Sequence, residues 1–311
     1  MVISKKSSLF FFTVIILSIS ILSGCLFDSG SPESEKLVQT PATVPETKDE
    51  TQIVTDFNQL LGKNPQIGEI IAFIDANVAD LSPEKLTTMI EELEAIQEQG
   101  LVGLEEKYNS SEINEKLNQV FSPEFYLENV NNLKDEAIKE LLNETRAAGF
   151  KIDINEGMYV PVIDYEIYQK YLPKVTEAMK NYLQIMLVES KKVPAKDGEL
   201  LIKWDDLVNR ALIQEKFIKN HGSSKRIDKV KELYERYVYF IFFGTDNTPL
   251  FNRETGVMDQ NAQTAYSQAI NNNQESELMQ KLAQYLKLLA DNDYQLSDSA
   301  ANYRNNLISK K

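Results

Sequence analysis

The chain has 311 residues, one cysteine, one histidine and a net charge of −14. That acidic surplus excludes nucleic acid as a partner, since such binding rests on neutralising phosphates with Lys and Arg, and it leaves no basic patch for anionic lipid. One cysteine and one histidine cannot supply the several His and Cys ligands of a zinc site, and no Walker A, dinucleotide-binding glycine pattern or His-Glu-x-x-His occurs, so no metal or cofactor is expected.

The first element is a leader. Lys5 and Lys6 form a basic start, Leu9 to Leu22 an apolar run broken by Thr13, Ser18 and Ser20, and small residues precede the cysteine in Leu22-Ser23-Gly24-Cys25. A charged start, a short apolar core and small residues at the cut describe a secretory signal. The run is too short for a membrane span, which takes about 20 apolar residues. The stretch Leu22-Ser23-Gly24-Cys25 resembles the lipobox of bacterial lipoprotein precursors. The resemblance implies cleavage after residue 24, a diacylglyceryl group on the Cys25 sulfur and acylation of its amine. It also implies a protein held to the cell membrane, outside the cytoplasm, through that lipid. Cleavage removes Lys5 and Lys6 and no acid, moving the net charge from −14 to −16.

Residues 25–51 read as a lipidated cysteine and a disordered tether, rich in Ser, Thr, Glu and Lys, with Pro32, Pro41 and Pro45 spaced through them. Residues 52–311 read as a mainly α, multi-helix extracytoplasmic domain with one small β-hairpin near 150–163, and with a possible subdivision near 150. Ile67, Ile70, Ile71 and Ile74 mark one apolar helix face. Ser82-Pro83-Glu84 is a helix start, with Leu86, Met89, Ile90 and Leu93 behind it and Gly100 as a stop. Ser122-Pro123-Glu124 repeats the start, and a periodic stretch from Phe125 to Leu141 leads to Gly149. Phe150 to Ile154 alternates apolar and polar, Asn155-Glu156-Gly157 is turn chemistry, and Pro161 restricts Met158 to Ile163 to an edge strand. Asp164 can cap the next segment, which Pro173 interrupts. Further helices are expected near 174–192, 202–219, 224–243, 259–272, 275–291 and 297–309, with Ser224 and Ser297 as caps. Residues 193–198 and 244–256 read as loops.

Several residues invite a functional reading. His221 sits in Asn220-His221-Gly222-Ser223, a turn at a helix C-terminus, and no nucleophile-elbow pattern accompanies any serine. Glu156, Tyr159, Asp164 and Tyr165 concentrate carboxylates and aromatic rings around the hairpin, as a sugar or peptide site does. Glu156 and Asp164 could serve as a glycosidase pair if they lay about 5–9.5 Å apart. Trp204 opens a helix with Asp205 and Asp206. Tyr234 to Phe243 read as a helix buried all round, and Asp246 and Asn247 lie in the polar loop after it, where oxygen ligands cluster without EF-hand spacing. The expected function is therefore a non-enzymatic binding or interaction protein of the cell envelope, using Tyr159, Tyr165, Trp204, Asp246 and Asn247 toward a small ligand or an envelope protein. The alternative is a carboxylate-dependent hydrolase of envelope glycan using Glu156 and Asp164.

Overall fold

Most of the described helices begin where a side chain can accept the backbone N–H groups that the first turn leaves unpaired. The computed structural model describes residues 49–121 and 127–308; the leader, Cys25, the tether before residue 49 and the Ser122-Pro123-Glu124 start lie outside the described residues. Asp49 caps α1 (Glu50–Leu61), so the helical part begins within the stretch expected to be tether. A capping box of Gln66 and Glu69 opens α2 (Ile67–Asn77). Ser82 caps α3 (Pro83–Tyr108), with Pro83 in its first turn.

Gly100 does not end α3. A glycine inside a helix costs about 1 kcal/mol, and running on for two more turns buries Leu104 and Tyr108, which contributes more than that. The helix thereby reaches from one core into the next. After α4 (Ser111–Val120) the expected long helix toward Gly149 is also divided. A 3-10 turn covers Leu127–Asn132, and the Asp135 carboxylate, accepting from the Ala137 and Ile138 N–H groups, starts α5 (Glu136–Ala147) afresh.

The hairpin is β1 (Phe150–Asn155) against β2 (Met158–Ile163), antiparallel, with Ile152 opposite Pro161. Its two-residue turn has positive φ at both Glu156 and Gly157, the backbone that matches the right-handed twist of the strands. A 3-10 stretch follows at Tyr165–Tyr171, capped by Asp164 as its sequence indicated, and then α6 (Glu177–Lys191). Residues 193–198 are more than a loop: β3 (Ala195–Lys196) pairs with β4 (Glu199–Leu200) around Asp197-Gly198. The remaining helices are α7 (Trp204–Asn220), α8 (Ile227–Phe243), α9 (Gln260–Asn272), α10 (Glu277–Ala290) and α11 (Asp298–Ile308). Ser297 accepts from the Ala300 N–H at the start of α11. Ser224 does not cap α8; its hydroxyl accepts from the Arg226 N–H within the preceding turn, and the helix begins at Ile227.

The fold is mainly α, and the described residues belong to one compact unit. Three apolar clusters fill it. The first gathers Trp204, Leu207, Tyr237, Phe242, Tyr266, Leu282 and Tyr285 from α7 to α11. The second joins α1, α2 and the first half of α3 to Tyr165, Tyr168, Tyr171 and α6. The third holds Leu104, Tyr108, Leu142, Phe150 and Tyr159 under the hairpin. The second cluster draws on both sides of residue 150, so the core is continuous across that position. Within α8, Tyr237, Ile241 and Phe242 are buried, but Tyr239 is 45% exposed and stacks on Phe243. The helix therefore has an outer face, unlike the all-round burial expected of it.

Gly149 links the third cluster to the second. Its φ is +74°, and a Cβ there would lie 2.5 Å from Ile167 Cδ1 and 2.6 Å from Gln97 Nε2. Gly149→Ala combines a strained backbone with displacement of a buried amide. It should lower unfolding free energy by about 1–3 kcal/mol, read as a fall in the urea midpoint at unchanged slope.

Candidate functional site: a trough beside the hairpin

Residues opposite one another in an antiparallel ladder share a face. On one face of the hairpin, Phe150, Ile152, Tyr159, Pro161 and Ile163 stand together, and Phe150, Ile152, Tyr159 and Ile163 pack on the third cluster. The other face carries Lys151, Asp153, Val160 and Val162. These last four residues line an open trough of about 860 Å³. Glu98, Leu101 and Glu105 of α3, Met186, Glu189 and Ser190 of α6, Lys192, Val193 and Lys196 beyond it, and Lys229 of α8 are among its other walls.

At one end of the trough lies the most heavily buried charge among the described residues. Glu94 of α3 is wholly inaccessible. Its Oε1 accepts from the hydroxyls of Tyr165 and Tyr182 and from Lys229 Nζ at 3.1 Å. Arg226 Nη2 lies 2.8 Å from Oε2 as an ion pair, off the line of a hydrogen bond. The Lys229 ammonium also meets the Tyr165 hydroxyl at 3.1 Å and the Glu98 carboxylate, so its three donors are used. One turn along α3, Gln97 accepts from the Tyr168 hydroxyl and donates to the carbonyls of Ala148 and Gly149. Burial pushes the Tyr165, Tyr168 and Tyr182 phenols well above their ordinary value, and the neighbouring Glu94 charge pushes the same way. They are neutral donors, and none is an activated nucleophile.

The charges around the trough are mostly matched. Lys196 pairs with Asp153 at 2.7 Å, and Lys191 with Glu166 at 3.6 Å. Lys151 donates to the Ser190 carbonyl. Glu189, raised by burial, accepts from the Tyr237 hydroxyl at 2.6 Å and faces Arg210 at 3.4 Å, both of which lower it. What remains for a ligand is the apolar strip of Leu101, Val160, Val162, Met186 and Leu201 between charged borders.

The residues singled out from sequence fall in different places. Tyr165 borders the trough and belongs to its polar end. Tyr159 is turned into the third cluster, stacked on Phe121 at 4.9 Å. Trp204 packs edge-on against Tyr266 in the first cluster, and its remaining edge borders a separate cavity of about 500 Å³ with Thr248, Asn261 and Gln268. Asp246 and Asn247 are exposed in the loop after α8. The Asn247 side chain donates to the Asp197 carbonyl at 2.8 Å, and its N–H to Gly198, so the loop clasps the β3–β4 turn. Tyr165 and Trp204 therefore do not share a cavity. Glu156 stands at the hairpin turn and Asp164 beyond its open end, with a six-residue ladder between them. At 3.3–3.4 Å per strand residue that places them about 20 Å apart, well outside the span at which two carboxylates flank a glycosidic bond. His221 is the C-cap of α7, its Nε2 3.0 Å from the Asn181 amide nitrogen. Among the described residues no group of three or more His, Cys, Asp or Glu side chains is placed to hold a metal.

Glu94 and Gln97 were readable and not singled out. Both fall on the stripe of Leu86, Met89, Ile90 and Leu93 at helical spacing, where a polar side chain must find partners in the core. Compared with protein-family models, curated proteins and solved structures, the chain matches none.

Removing the Glu94 carboxylate leaves Lys229 and two phenols without their acceptor and Arg226 without its buried counter-ion. Glu94→Ala should cost about 3–5 kcal/mol of unfolding free energy, with a smaller loss for Glu94→Gln, both read by urea denaturation. The tyrosines set a second expectation. Their phenols ionise near 10 in the unfolded chain and higher when folded. Above pH 10 the unfolded chain therefore binds fewer protons than the folded one, and stability falls as pH rises. The denaturation midpoint should show no loss from these groups between neutral pH and about 9 and should drop beyond about 10, with tyrosinate absorbance from the buried rings rising only as the fold is lost.

Proposed function

We propose that this protein is a membrane-anchored extracytoplasmic lipoprotein that acts by binding, and that the trough beside the hairpin is its ligand-facing surface. The sequence Leu22-Ser23-Gly24-Cys25 behind a short apolar run supports the anchor. The observation that carries the binding reading is the open apolar strip between charged borders, about 860 Å³ in volume, within the size range of small-molecule sites. Buried polar groups at its Tyr165 end are engaged with one another, which suits a rigid surface more than a reacting one. The alternative of a glycan hydrolase loses its support with the separation of Glu156 and Asp164. The described residues contain no helix long and apolar enough to cross a membrane, so attachment in this reading falls to the lipid, and two or three acyl chains hold where one does not.

Both parts are open to test. Cys25→Ser should abolish metabolic lipid labelling and leave the leader uncleaved; normal labelling of that variant would refute the anchor. For the trough, the full chain is screened by thermal shift against wall fragments, sugars, peptides, nucleotides and divalent metals. A ligand at a hundred times its dissociation constant adds about 2.7 kcal/mol to stability. A shift that disappears in Val162→Glu and survives in a variant of the distant Trp204 cavity, Gln268→Ala, supports the assignment, and the reverse pattern overturns it.

A further inference from the structure

A sheet of two strands has two outer edges, and here they differ. The Asp164 N–H donates to the Gly149 carbonyl at 3.0 Å, which sets the alternation of the ladder above it. Lys151, Asp153 and Asn155 bond inward to Val162, Val160 and Met158, while the backbone of Phe150, Ile152 and Ile154 points outward on β1, and that of Tyr159, Pro161 and Ile163 on β2. On β2 the outward row is closed. The Tyr159 N–H donates to Asn114 Oδ1 at 2.9 Å, Pro161 has no N–H, and the Ile163 carbonyl accepts from the Ser190 hydroxyl. On β1 the outward N–H and C=O groups of Ile152 have no hydrogen-bond partner among the described residues; those of Phe150 are likewise unpaired but covered, the residue being 3% exposed. An edge left open in this way is a template for a further strand.

The open edge is complementary to itself. Antiparallel pairing of two β1 strands centred on Ile152 brings the outward backbone groups of Ile152 in the two copies together, with Phe150 of each flanked by Ile154 of the other. In that register Lys151, on exchanging the Ser190 carbonyl it donates to, stands opposite Asp153 of the second copy, and Asp153 opposite its Lys151, so two opposite-charge pairs form by symmetry. Asp153 can accept there, because Lys196 and the Ile154 N–H both use Oδ1. Ile154, an apolar side chain 46% exposed at this edge, comes to lie beside Phe150 of the second copy. We propose that β1 is a homodimerisation edge, joining two hairpins across a two-fold axis into one four-stranded antiparallel sheet. Lys151 and Asp153 also line the trough, but the edge pairing does not depend on a ligand being bound there.

The test is the association of the purified full chain in detergent, followed by sedimentation velocity over a range of protein concentration. The wild type should form a dimer. Lys151→Asp or Asp153→Lys sets like charges opposite each other at both pairs and should weaken the dimer by about tenfold or more. The double variant Lys151→Asp with Asp153→Lys restores opposite charges and should restore association. This set also separates the edge contact from two lipidated chains sharing a micelle, which charge exchange would not move. Ile152→Pro removes an outward N–H without breaking a bond of the hairpin ladder and should abolish the dimer. Ile152 packs on the third cluster, so the charge set decides the question should that variant fail to fold. A monomeric wild type, a dimer indifferent to the single reversals, or a double variant as weak as the singles each overturns the proposal.

Discussion

A carboxylate with no access to water governs the middle of this molecule. Taking an ion out of water costs several kcal/mol even after relaxation, so Glu94 can be buried only where other segments bring it donors and countercharge. Tyr165 and Tyr182 come from either side of Pro173, and Arg226 and Lys229 from the first turn of α8 and the residue before it. Three separate stretches of chain are thereby fixed around one side chain of α3, and Gln97 extends the same arrangement to the end of α5 and the start of β1. Desolvation makes the cluster costly to assemble and costly to break, which favours one arrangement over looser packings of the same helices.

The trough follows from that arrangement. Its polar end is the outer side of the Glu94 cluster, its walls are α3 and the hairpin, and its far border is the strip where α6 ends and β3 begins. The hairpin is held on its β2 side by Asn114 and Ser190 and rests on the third cluster through one face. Its other face is left to the trough, and its β1 side has no strand partner. A rigid wall with one open edge is the result, and both surfaces offered outward belong to the same twelve strand residues and the turn joining them.

Much of this was legible where a residue type has one physical use. Ser82-Pro83 can begin a helix and little else, and Pro161 fits only a strand edge that needs no N–H. The apolar alternation of Phe150 to Ile154 placed the hairpin. Boundaries failed where packing outweighed local preference. Gly100 is a stop by propensity, yet the burial of Leu104 and Tyr108 carries α3 through it. Asp135 divides the stretch before Gly149 because its carboxylate accepts from two N–H groups, although the apolar spacing continues across it. Asp197-Gly198 is a strong turn signal that the short strands on either side obscured. The site residues were harder to read. Tyr159 and Trp204 are the aromatic types that line ligand sites, and both were needed to fill cores. Glu94 looks like any helical glutamate until its position on the apolar stripe is counted. Distance between Glu156 and Asp164 is a property of the ladder, which no spacing along the chain encodes.

The Glu94 cluster also bears on the order in which the chain acquires structure. Its hydrogen bonds close loops of 71 residues to Tyr165, 88 to Tyr182 and 135 to Lys229. Contacts so far apart in sequence form late, because the entropy of closing each loop is lost before the contact is gained. In a chain emerging from its N-terminus, α1 to α3 exist as segments while Glu94 still has neither Arg226 nor Lys229 to meet. Burying Glu94 before those partners arrive would leave its carboxylate without countercharge, so the packing around it is completed only with α8. The native surroundings of this one acid are thus complete only once about three-quarters of the sequence has been made.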